Sequence, residues 1–184
     1  MLKKFFSTML LTAIIFLTSQ AQASARMNLQ YQAHIQNYGW STFVQNGEAV
    51  GTTGQGLRLE AVVINFFDGS TSMVEYVAHV QEIGWQDWQR SGGVAGTVGE
   101  GLRMEAIRIQ LTNGYENRFD IYYRTHIQDY GWLGWAKNGE PAGSVGECLR
   151  MEALQIQLVE KGRRFHRNGP AFLHKRGHAP VTRI

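Results

Sequence analysis

Apolar and polar residues alternate along three stretches of the chain, and each stretch has one apolar face. Leu29, Tyr31, Ala33 and Ile35 form the first apolar face and Val74, Tyr76, Ala78 and Val80 the second. Phe119, Ile121, Tyr123, Thr125 and Ile127 form the third, opposite Asp120, Arg124, His126 and Gln128. A period of two with one apolar face predicts a half-buried β-strand. A Gly-Trp step follows each strand, then a turn at Asn46-Gly47, Ser91-Gly92 or Asn138-Gly139. Asn-Gly is a hairpin signal, because both residues tolerate positive φ. A second strand closes each stretch with a conflict of parity. Ile107, Ile109 and Leu111 alternate with Arg108 and Gln110, yet Arg103 and Glu105 share the apolar parity. Either the ion pair points inward, or a bulge near Glu105-Ala106 swaps the faces.

The three stretches are copies of one unit. Tyr31–Ile64, Tyr76–Ile109 and Tyr123–Ile156 align over 34 positions without a gap, and 13 positions are identical in all three. The offsets are 45 and 47 residues, the extra two falling in the second connector. Repeats of this length are supersecondary units that bury their apolar faces on one another, so residues 27–158 read as one domain. With turn signals throughout and no helical period, the fold class is all-β with pseudo-threefold symmetry. A β-prism of three sheets is the expected architecture, with a β-trefoil as the alternative. Three sheets around one axis leave fewer unprotected edges than an open array.

Charge and flanking segments add to this picture. Lys3 and Lys4, the apolar stretch Phe5 to Leu17 and the small-x-small sites ending at Ala23 and Ala25 read as a signal peptide over residues 1–25. The expected location is therefore extracellular or at the cell surface. Residues 27–158 carry eight basic and fourteen acidic residues, whereas residues 159–184 carry seven basic residues against Glu160 alone. That basic tail has little periodicity and reads as disordered, with docking onto an anionic surface as an added role. The single cysteine, Cys148, excludes a disulfide framework and stands where the other copies have Gly56 and Gly101.

Tyr-x-x-His-[Ile/Val]-Gln-x-x-Gly-Trp, the later Gly-x-x-Gly and Leu-Arg-x-Glu-Ala recur at fixed spacing. Together they resemble the clostridial hydrophobic W (ChW) repeat across all three copies. The resemblance implies an exported or surface-associated bacterial protein whose repeats bind carbohydrate or protein. Cys148 in a glycine slot and Gly93 in the slot of Glu48 and Glu140 are departures that bear on the equivalence of the three units.

All five tryptophans occupy two slots: Trp40, Trp85 and Trp132 after glycine, and Phe43, Trp88 and Trp135 three residues later. The rings either fill the core between units or stack on the C–H face of a sugar. Position favours packing for the Gly-Trp slot and ligand contact for the second. His34, His79 and His126 share a strand face with Gln36, Gln81 and Gln128. Such pairs can bond saccharide hydroxyls or tie down a neighbouring loop. These twelve side chains are the candidate ligand-binding residues. Arg58-Glu60, Arg103-Glu105 and Arg150-Glu152 read as structural pairs. One His per copy, with no HxH or Cys partner, is a poor metal set, and no cofactor is expected. The glycine-rich segments lack the Lys-Ser/Thr of a phosphate loop, and nucleic acid is not an expected partner. Triplicated chemistry in so small a unit points to binding, not catalysis. The expected function is recognition of glycans or cell-surface polymers through three weak sites, with protein interaction or adhesion as the alternative.

Overall fold

The period-two stretches form the long strands of a computed structural model that describes residues 29–66 and 73–174. The expected signal peptide, the Phe67-Asp68-Gly69-Ser70 turn and the end of the tail lie outside the described residues. Unit one contains β1 (Leu29–Ile35), β2 (Gly39–Trp40), β3 (Val44–Gln45), β4 (Ala49–Gly51) and β5 (Leu59–Phe66). Unit two contains β6 (Val74–Val80), β7 (Gly84–Trp85), β8 (Gln89–Arg90), β9 (Ala95–Gly96) and β10 (Met104–Leu111). Unit three contains β11 (Phe119–Ile127), β12 (Gly131–Trp132), β13 (Ala136–Lys137), β14 (Ala142–Val145) and β15 (Met151–Glu160). A last strand, β16 (Phe172–His174), follows in the tail.

Each unit is built on one long antiparallel pair: β1 with β5, β6 with β10, and β11 with β15. The short strands after each Gly-Trp step fold back on the first long strand. The fourth strand leaves its own unit. β9 joins unit one against β5, β14 joins unit two against β10, and β4 joins unit three against β15. The exchange closes into a ring in which every unit lends one strand and borrows another. Among the described residues three sheets result, one per repeat, and no barrel closes. The all-β, three-sheet expectation holds.

Backbone chemistry explains the exchange. The Asn46-Gly47 turn and its counterparts are corners between sheets and not hairpins. The amides of Gly47, Gly92 and Gly139 donate to Ile156, Ile64 and Ile109 of the neighbouring unit at 2.8, 3.0 and 2.7 Å. Gly51, Gly96 and Gly143 follow, with φ of 107°, 110° and 121°. A Cβ there would overlap the carbonyl oxygens of Glu152, Glu60 and Glu105, so only glycine lets the lent strand approach.

The parity conflict resolves as a bulge. His34 pairs with Ala61 and Ile35 with Leu59, which leaves Glu60 as the extra residue. Glu105 and Glu152 occupy the same place in their units. The faces swap there, so Leu59, Met104 and Met151 enter the core while the glutamates stay on the outer side.

Tyr31, Tyr76 and Tyr123 are fully buried and pin the units together. The Tyr31 hydroxyl donates to the Glu48 carbonyl and accepts from the Ile156 amide at 3.0 Å. Tyr76 donates to Gly93 and accepts from Ile64 at 3.1 Å, and Tyr123 donates to Glu140. Burial pushes the Tyr76 pKa up to about 12 and holds Tyr31 and Tyr123 well above their ordinary value.

The tail departs from the expected disorder. β15 continues through Glu160, and β16 pairs in parallel with β14. Phe165 stacks on Tyr122 at 4.1 Å between ring centroids and meets Trp135 edge-on at 5.0 Å. Phe165, Arg167 and residues 170–174 thus rest on the sheets, while most of the residues between these anchors are exposed. Isolated aromatic and arginine anchors hold them, and such anchors leave no periodic signal.

Candidate functional site

On the outer face of each unit the histidine that ends the alternation lies beside the bulged glutamate. His34 Nδ1 is 2.8 Å from Glu60 Oε2, with hydrogen-bond geometry. His79 and His126 stand 3.2 and 3.0 Å from Glu105 and Glu152, as ion-pair contacts whose angles do not form a hydrogen bond. Arginine from two residues earlier neutralises each carboxylate: Arg58, Arg103 and Arg150 approach within 2.7, 2.8 and 2.8 Å. The glutamates are buried and the histidines half-buried. A buried carboxylate needs such partners, since an unpaired one is very costly. The cluster orients the imidazole through Nδ1, and Nε2 has no partner among the described residues. Nε2 is therefore the atom available to a ligand hydroxyl.

The Gly-Trp step brings an indole against each imidazole. Gly39, Gly84 and Gly131 have φ of 76°, 85° and 73°, which turns the chain back so that Trp40, Trp85 and Trp132 pair opposite the histidines. The rings meet edge-on, with centroids 5.4, 5.3 and 5.5 Å apart. None of the five tryptophans is buried, which corrects the expectation that the Gly-Trp slot fills the core. The three tyrosines take that role, because their strand position points inward and their hydroxyls find backbone partners.

The aromatic slots are not equivalent. Trp40, Phe43 and Trp88 are 39 %, 42 % and 43 % exposed, which leaves their rings open to a ligand. Arg108 lies over Trp85 at 4.7 Å from the ring centroid. Arg124 is sandwiched between Trp132 at 4.8 Å and Trp135 at 4.7 Å, and burial there lowers its pKa. In unit one Gln32 and Val63 replace these arginines, and no cation stacks on Trp40 among the described residues. The structure brings His34, His79 and His126 together with Trp40, Trp85 and Trp132. It does not place Gln36, Gln81 and Gln128 in the same network. These lie one residue past the strand end, where their backbone N–H groups donate to the backbone carbonyls of Arg58, Arg103 and Arg150 at 3.0 Å each.

Glu60, Glu105 and Glu152 were missed as partners of the histidines. The signal was present in the broken parity, which puts one glutamate per copy at the bulge. Arg108 and Arg124 occur once each in the triplication and carry no repeated signal. No group of three or more metal-ligating side chains occurs among the described residues.

Neither the curated proteins nor the solved structures yield a match to this chain. The family model described as clostridial hydrophobic W matches residues 34–66, 79–113 and 126–160, one stretch per sheet-forming unit. These matches cover more than half of the 184 residues, and the chain belongs to the clostridial hydrophobic W family of repeat proteins.

Proposed function

We propose that this protein is an extracellular binding module for glycans or cell-surface polymers, not an enzyme. The observation that carries the reading is the exposed Trp40 set edge-on against the carboxylate-bonded His34, with Phe43 and Trp88 also exposed at the second aromatic slot. A core filled without any tryptophan has no packing need for these rings at the surface. An aromatic face stacks on a pyranose while a fixed imidazole bonds its hydroxyls. Repetition on one rigid body turns weak sites into avidity on a multivalent polymer.

Titration of the protein against a panel of purified glycans, read by intrinsic tryptophan fluorescence, tests this. Saturable binding that weakens in Trp88→Ala and Phe43→Ala is expected. A panel with no binder overturns the reading.

A second reading, protein interaction or adhesion, rests on three exposed apolar side chains. Tyr38, Ile83 and Tyr130 occupy one repeat position and are 69 %, 49 % and 59 % exposed. Large apolar side chains exposed at one position of every repeat offer contact points for a protein partner. Substituting these three by Ser separates the readings, because glycan binding through Trp40, Phe43 and Trp88 survives it and protein binding through these side chains does not.

A further inference from the structure

Among the positions at which unit three differs from both of its copies, two touch the tail. Gly134 stands where unit one has Thr42 and unit two has Asp87. Its φ is not in the left-handed region, so the backbone itself would accept a side chain. The reason for glycine is overhead: a Cβ at Gly134 would overlap the carbonyl oxygens of Asn168 and Gly169. The Gly134 amide also donates to Pro170 at 2.8 Å. Tyr122, the ring on which Phe165 stacks, stands where the copies have Gln30 and Glu75.

The remaining contacts have the form of peptide recognition. Arg167 Nε donates to the Trp135 carbonyl at 2.8 Å, and its guanidinium grips both oxygens of Glu140. Gly143 donates to Ala171 at 3.0 Å, and β16 then extends the sheet from the edge of β14. Main-chain pairing along a sheet edge, with side-chain anchors beside it, is β-strand addition. The equivalent strands β4 and β9 end their sheets without a further strand among the described residues.

We infer that unit three is a peptide-docking site, specific for an extended segment with an aromatic residue, an arginine two positions later and an apolar strand. Its resident ligand is residues 165–174 of this chain. Thr42 and Asp87 close the same place to a peptide in units one and two. This assignment stands independently of the glycan reading.

The test uses the full-length protein. Gly134→Thr installs the side chain of unit one and is expected to raise the rate of trypsin cleavage after Arg163, Arg164 and Arg167 by on the order of tenfold or more, because the released segment opens freely. A fluorescein-labelled peptide of residues 163–174 is then added to chain carrying Phe165→Ala, Arg167→Ala and Phe172→Ala, which empties the site. Saturable anisotropy change is expected, and it should be lost when Gly134→Thr is added. If Gly134→Thr impairs folding, Tyr122→Gln makes the same comparison without a clash. Unchanged trypsin protection in these variants, or peptide binding indifferent to them, overturns the assignment.

Discussion

Cys148 adopts φ 57°, a left-handed conformation that Gly56 and Gly101 hold at 69° and 71° in the other units. A side chain there costs roughly 1–2 kcal/mol, partly offset by the restriction it imposes on the unfolded chain. Cys148→Gly should therefore raise the unfolding free energy by up to about 1 kcal/mol in a urea titration, and a loss of stability would count against the argument. The buried tyrosines make a second prediction. Their pKa is raised on folding, so between pH 10 and about pH 12 the unfolded chain loses protons that the folded chain keeps. Stability is thus complete below pH 10 and falls as pH rises through that window. Tyr76→Phe should be less stable at pH 7, through loss of its backbone partners, but should show a shallower alkaline decline. An equally steep decline would mean that Tyr76 does not titrate with unfolding.

Among the elements, the lent strand is the most exacting. Gly96 and Gly99 are three residues apart and both have positive φ, 110° and 81°. A Cβ on Gly96 would overlap the Glu60 carbonyl and crowd Ala61, whereas one on Gly99 meets nothing within 4 Å. Alanine at Gly99 should cost only the conformational term, roughly 1–2 kcal/mol. Alanine at Gly96 should cost about 2 kcal/mol more, because β9 must move off β5. Equal effects of the two, measured by chemical denaturation, would show that the strand exchange is loosely packed. The bulge is the other local device, and it reconciles a core-facing Leu59 with an outward-facing Glu60 on adjacent residues.

For the whole molecule, the ring of exchanged strands sets the cooperative unit. Each sheet takes one strand from another repeat, and each buried tyrosine is bonded to the corner that precedes its unit's lent strand, Tyr31 and Tyr76 also to the neighbouring unit's long strand. A fragment of residues 27–72 keeps its long pair but lacks the borrowed β9 and most of the core. Two-stranded pieces are marginal in water, so this fragment should show no cooperative transition by circular dichroism, while the full chain melts in one step. Independent melting of the fragment would mean that the units are separate domains.

Repetition made most of this fold legible from sequence. The 34-residue copies, the period-two strands and the turn glycines determined an all-β array of three units, because spacing along a strand dictates its faces. The Gly-Trp and Leu-Arg-x-Glu-Ala motifs likewise marked the candidate site and the family. Tertiary structure alone decided which unit receives each fourth strand, since a turn signal does not say where the next strand finds an open edge. It also decided that tyrosine and not tryptophan fills the core, that glutamate holds the histidine, and that Gly134 admits the tail. Each of these depends on what lies across a sheet or above a backbone atom, and contact across space leaves no period in the chain.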